Sequence, residues 1–143
     1  VRRLSVIAYE DIGLANPSIG PKLDAAINAS LRVGLPEAAI PLSNIVIEMS
    51  LSPKSNTAYL AIDRAFEDIK LKNLGNIPKC IKSPYIGYLY PHNYKGSIVN
   101  QQYLPDGIKD SKYFITKESS KYEIMLKETY EKIENYKKKT DNN

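Results

Sequence analysis

From Leu4 to Ile69 the apolar residues recur at three- and four-residue spacing, the pattern of a helix face rather than of a strand. Leu4, Ile7, Ala8 and Ile12 form the first stripe, and Gly13 follows where a left-handed C-terminal cap is often needed. Asn16-Pro17 reads as an N-cap with proline at the first helical position. It opens a second helix with Ile19, Leu23, Ala26, Ile27, Ser30 and Leu31 on one stripe, and Gly34 ends it. Pro36 and Pro41 argue against one unbroken helix across 35–43, because Pro41 has no N–H to offer the carbonyl of residue 37. A third helix is expected from near Pro41. Its Ile45, Val46, Ile47, Met49 and Leu51 are apolar on more than one face, which predicts a central helix. A fourth follows Ser52-Pro53, with Ala58, Ile62, Ala65, Phe66 and Ile69 on one side.

The pattern then breaks. Residues 73–116 hold four of the nine prolines, four of the seven glycines and six of the eleven tyrosines without a sustained helical period, so this stretch is read as irregular. Within it, Gly96 to Leu104 is expected to form a short strand or to lie extended over the helices. Helical spacing returns from Ser119 to Lys139 through Tyr122, Met125, Leu126, Tyr130, Ile133 and Tyr136. Glu123/Lys127, Glu128/Lys132 and Glu134/Lys138 place acid before base on what should be an exposed face. The expected fold is mostly α: a compact helical domain of about five main helices, with a long Pro/Gly/Tyr-rich segment packed on it. Residues 1–143 are read as a single domain, with 73–116 irregular and 117–139 the C-terminal helix.

Composition narrows this picture. A chain of 143 residues with 43% hydrophobic and 25% charged residues can bury a core, which excludes wholesale disorder. A net charge of +4 permits a polyanionic partner without requiring one. One cysteine, Cys80, and one histidine, His92, exclude an internal disulfide and a Cys/His metal site, so no metal is expected. A reducing, cytoplasmic setting fits. No apolar run approaches the roughly 18–20 residues that span a bilayer, and no membrane partner is expected. The chain opens on Val1-Arg-Arg-Leu with the apolar pattern already running, which is read as a piece of something larger.

Candidate chemistry is sparse. Ser52-Pro-Lys-Ser-Asn-Thr57 sets a lysine before a helix start, where backbone amides can bind an anion. A nucleotide-binding phosphate loop needs glycines ahead of its Lys-Ser pair, and this stretch has none. A helix cap on Ser52 or Ser55 is the favoured reading. Glu10-Asp11 are adjacent, so on a helix they diverge by about 100° and read as solvated surface rather than as a general acid–base pair. His92, in Tyr90-Pro-His-Asn93, has no nucleophile marked near it, and an enzyme reading would need a pocket joining His92 to a carboxylate. No catalytic or cofactor-binding residue is assigned. Tyr85, Tyr88, Tyr90, Tyr94 and Tyr103 are interleaved with Lys79, Lys82, Lys95, Lys109 and Lys112. That mixture can stack the bases of a single strand, but packing of the rings or a protein interface is favoured.

Five stretches together resemble a known family. They are Glu10-Asp-Ile-Gly-Leu-Ala-Asn16, Gly34 to Leu42, Pro53 to Asp63, Tyr90-Pro-His92 and Gln101-Gln-Tyr-Leu-Pro-Asp106. In this order they are similar to the C-terminal region of the RarA/MgsA family of replication-associated AAA+ ATPases, relatives of clamp loaders and of the Werner helicase interacting protein. The resemblance spans about residues 1–116 and implies a non-catalytic helical module that assembles a parent ATPase into a homotetramer. It implies DNA and fork proteins, single-strand binding protein among them, as partners of that parent in a bacterial cytoplasm. ATP and Mg²⁺ are implied for its missing core, and no cofactor for this stretch. The alternative is a module that itself contacts DNA or a replication protein. Lys54, Asn56, Tyr59, Tyr90, His92, Gln101, Gln102 and Tyr103 lie within or beside the matching motifs and are the candidate interface or partner contacts. Relatives commonly carry a longer insertion where this chain has the short bridge Lys82 to Tyr90.

Overall fold

A computed structural model describes residues 1–140. They contain five α-helices and, among the described residues, no strand: α1 Arg2–Ile7, α2 Ile19–Val33, α3 Ala39–Leu51, α4 Thr57–Leu71 and α5 Lys121–Thr140. The mostly helical architecture is the one the periodicity predicts. Two compact units are distinguished, Val1–Ile62 with Phe114–Lys127, and Asp63–Tyr113 with Glu128 onward.

In the first unit α1 continues as a π-helical turn, Ala8–Ile12, which ends at Gly13 with φ 47°. Gly13 is required twice. Its backbone is in a region that disfavours side chains, and a Cβ there would lie 2.6 Å from the Ser55 carbonyl oxygen. The Ser55 amide in turn donates to the Asp11 carbonyl at 2.8 Å. Ala8, Ile12, Ile19, Leu23, Ile45 and Met49 form the core, lined by Leu4, Ile7, Ala26 and Ile27. α2 packs on α3, and Ser30 Oγ fastens the turn between them by donating to the carbonyls of Ala26 and Ala38. Lys22 on α2 pairs with Glu48 on α3.

Several details depart from the sequence expectations. Asn16 does not cap α2. Its carbonyl accepts from Ile19 N–H, its Oδ1 accepts from Ser18 Oγ, and its Nδ2 donates to Ser52 Oγ, so α2 starts beyond Pro17. α3 starts at Ala39 and takes Pro41 into its first turn, where a missing N–H costs no helical bond. It is not a central helix in this chain. Ile45 and Met49 are buried, whereas Ile40, Val46, Ile47 and Leu51 are exposed. Leu31, placed on the buried stripe of α2 by its spacing, is 76% exposed.

In the second unit the turn Asp106–Ile108 is bound to the chain leaving α4: Asp106 N–H donates to the Asn76 carbonyl and Gly107 N–H to that of Leu74. Asp68 gathers Ser111 Oγ at 2.7 Å, Tyr113 Oη at 3.0 Å and Lys72, while Arg64 reaches the Tyr113 carbonyl at 2.9 Å. Val99 and Ile108 are its buried apolar residues. Short 3₁₀ turns at Lys79–Ile81, Pro91–Asn93 and Lys95–Ser97 punctuate the stretch between; from Ile98 to Tyr103 the chain forms neither helix nor strand, and it bends at Leu104.

Candidate interaction surfaces

Lys54 caps the end of one helix and not the start of the next. Its Nζ donates to the carbonyls of Met49 and Ser52, both at 2.7 Å, so its charge serves the C-terminal end of α3 instead of an anion at the start of α4. Neither Ser52 nor Ser55 is the residue directly preceding α4. Asn56 holds that place, with its carbonyl accepting from Leu60 N–H. Ser55 Oγ accepts a long bond from Thr57 N–H at 3.4 Å, and Ser52 Oγ turns back to the Glu48 carbonyl. Asn56 Oδ1 accepts from Lys117 Nζ at 2.7 Å.

The polar centre of the first unit is Glu123, which is only 3% exposed although its spacing to Lys127 predicts an exposed face. Its Oε1 accepts from the hydroxyls of Ser55 and Thr57, both buried, and its Oε2 accepts from Ser119 N–H at 3.1 Å. Ser120 Oγ accepts from Glu123 N–H, which makes Ser120-Lys-Tyr-Glu123 a variant of the capping box at the start of α5. That Ser-x-x-Glu signature was the legible clue. A buried carboxylate facing two hydroxyls and an amide is structurally satisfied, and Lys127 pairs with Glu118 instead of with it.

The remaining sequence candidates, Gln101 apart, lie on exposed ground. Tyr59 is exposed on α4. In the second unit Tyr90 and His92 stand with ring centroids 5.1 Å apart, both exposed, and no carboxylate joins His92 in a catalytic arrangement among the described residues. Gln101 Oε1 accepts from Leu89 N–H at 2.7 Å, while its Nε2 is buried without a hydrogen-bond partner. Gln102 Nε2 donates to the Leu104 carbonyl and to Asp106 Oδ1. The tyrosines at 85, 88, 90, 94 and 103 are all exposed, so of the two favoured readings burial of the rings against the helices is not met and a protein interface stays open. Among the described residues no cluster of three or more His, Cys, Asp or Glu could hold a metal ion, and no helix is long and apolar enough to cross a membrane.

Two further surfaces are apolar. On α3 the positions 40, 44, 47 and 51 share one stripe, and Ile40, Ile47 and Leu51 on it are exposed, Leu51 to 81%. On α4 the positions 59, 62, 66 and 69 share another, and Tyr59, Ile62, Phe66 and Ile69 are all exposed. Both stripes follow the alternating three-and-four spacing of a helix-pairing seam, with Asn44 as a polar residue inside the first.

The family model "MgsA AAA+ ATPase C terminal" matches residues 1–134. The chain belongs to this family. A relative in Bacillus subtilis (strain 168), replication-associated recombination protein A, is 51% identical over 142 residues, which is 92% of this chain and 34% of the relative. The protein of that name in Haemophilus influenzae is 31% identical over 92% of the chain and 32% of its own length. The ATPase WRNIP1 of Dictyostelium discoideum is 33% identical over 80% of the chain and 14% of its own length. This MgsA-type C-terminal region thus spans about a third of the length of the bacterial relatives it matches.

Proposed function

We propose that this chain is the non-catalytic assembly module of a AAA+ ATPase acting in DNA replication and recombination, and that it joins its parent into a homotetramer. The observation that carries the reading is the pair of exposed seams, Ile40-Asn44-Ile47-Leu51 on α3 and Tyr59-Ile62-Phe66-Ile69 on α4. Burying one such Ile, Leu or Phe is worth roughly 1.5–3 kcal/mol, so two continuous seams left in water forgo a large stabilisation. Two different seams on each chain, each pairing with its own copy about a two-fold axis, close into a tetramer of dihedral symmetry. A single seam would stop at a dimer.

The names of the relatives support the replication and recombination setting. ATP and Mg²⁺ belong, on this reading, to a nucleotide-binding core outside the matched third, since no glycine-rich Lys-Ser/Thr loop occurs in these residues. The setting is cytoplasmic, and DNA and fork proteins are partners of the assembled parent.

Sedimentation velocity of the chain at micromolar concentration should give a tetramer. Ile47→Asp and Phe66→Asp should each reduce it to a dimer by spoiling one seam, and together they should give a monomer. A wild-type chain that sediments as a monomer throughout that range sinks the reading.

A further inference from the structure

We propose that Asn44 is the residue that orders assembly at the α3 seam: it holds this helix parallel and in register with the same helix of a second copy, and it limits the seam to two strands. The inference rests on the assembly reading above and gives one of its two seams a direction and a strand number.

The first observation is the spacing. Ile40, Asn44, Ile47 and Leu51 follow one another at four, three and four residues, which in a heptad makes Ile40 and Ile47 d residues and Asn44 and Leu51 a residues. Ile45 and Met49, which belong to the core of the first unit, then fall on b and f. The side of α3 that faces its own chain is therefore opposite the seam, and the a and d side is left to a partner. Leucine at a with isoleucine at d is by itself the combination that favours three or four strands, whereas a single asparagine at a fixes register and strand number at some cost in stability.

The second observation is how Asn44 is held. Its Nδ2 donates to the Ile40 carbonyl at 3.0 Å, one turn back in the same helix, which orients the amide and leaves a second Nδ2 hydrogen and the Oδ1 acceptor unused. In a parallel pair the two a residues face each other, so this donor and acceptor meet their exact complements in the second copy. An antiparallel pair that matches Ile40 with Leu51 sets Asn44 against Ile47 and buries the amide unsatisfied, a cost that the parallel pair avoids.

Charge agrees with a self-pairing seam. Its a and d positions carry none, and the g positions beside it are Ser43 and Ser50, small residues whose hydroxyls donate back to the α3 carbonyls of Ile40 and Val46. Neither serine therefore competes for the Asn44 amide. The single flanking charge, Glu48 at e, is paired with Lys22 of its own chain, so two copies meet without opposed carboxylates.

The test isolates the α3 seam in the Phe66→Asp chain, which the assembly reading makes a dimer. Sedimentation velocity should show that dimer, and adding Asn44→Leu should convert it into a trimer or tetramer, because the leucine–isoleucine seam is then uninterrupted. Direction is read by mild oxidation of single-cysteine chains in a Cys80→Ser, Phe66→Asp background. Ile40→Cys and Leu51→Cys should each link to themselves, and a mixture of the two should form little of the mixed product, since only like positions come within disulfide reach. A Phe66→Asp dimer that stays a dimer with Asn44→Leu, or in which position 40 links to position 51 and not to itself, overturns this inference and leaves assembly standing. A Phe66→Asp chain that is monomeric while folded by circular dichroism overturns the pairing of α3 itself, and the role of Asn44 with it.

Discussion

Glu123 receives the hydroxyls of Ser55 and Thr57 and the amide of Ser119 within buried surroundings. Removing it strands two buried hydroxyls that have few other acceptors. Glu123→Ala should therefore destabilise the fold by about 2 kcal/mol or more, with Glu123→Gln, which keeps one acceptor oxygen, losing less. Thermal unfolding checks this order. Asp68 makes a different kind of prediction. Its hydrogen bond to Lys72, then those to Ser111 and Tyr113, hold its carboxyl below the ordinary value of 3.8. A carboxylate lowered on folding contributes stability that is fully present above the unfolded value and is lost as pH falls through the lower folded one. In acid titrations followed by circular dichroism, the stability advantage of wild type over Asp68→Asn should be constant above about pH 5 and shrink below pH 3.8. An advantage that grew on acidification would show that the carboxylate is not favoured by its neighbours.

At the scale of elements, the periodicity located every main helix, and the two units show where it stopped being informative. Spacing identifies a face as apolar but does not say whether this chain or another covers it. Ile62 and Phe66 are legible as an apolar face and no more, while Ile47 and Leu51, on the helix expected to be central, are exposed. Helix starts were misplaced where a polar residue had a stronger distant partner, as when Asn16 turned to Ser52. The four-residue spacing to Lys127 sets Glu123 on an exposed face, whereas the Ser120-x-x-Glu123 spacing marks the helix start at which it is buried. The irregular segment was recognised by its prolines and glycines, but its anchoring was not, since backbone pairing between Leu74-Gly-Asn76 and Asp106-Gly107 has no sequence period. That anchoring yields a prediction. A Cβ on Gly107 would stand 1.9 Å from the Asn73 carbonyl oxygen, so Gly107→Ala must push the two backbone stretches apart. A loss of about 1–3 kcal/mol is expected, seen as a lower urea midpoint. An unchanged midpoint would mean that the turn detaches at little cost.

For the whole molecule, the exposed seams make stability depend on company. Association that buries the α3 and α4 faces binds only folded chains, so it must add to unfolding free energy by mass action, and the addition grows with protein concentration. The seams carry aliphatic and aromatic side chains with few charges between them, so this gain should be only weakly sensitive to salt. Calorimetric midpoints of the wild-type chain should rise steadily as concentration is raised from the low micromolar range upward. The Ile47→Asp, Phe66→Asp double variant should melt at one temperature throughout. Tyr90→Ala, which touches neither seam, should follow the wild-type curve. A wild-type midpoint independent of concentration would place these apolar faces in contact with something other than a second copy of the chain.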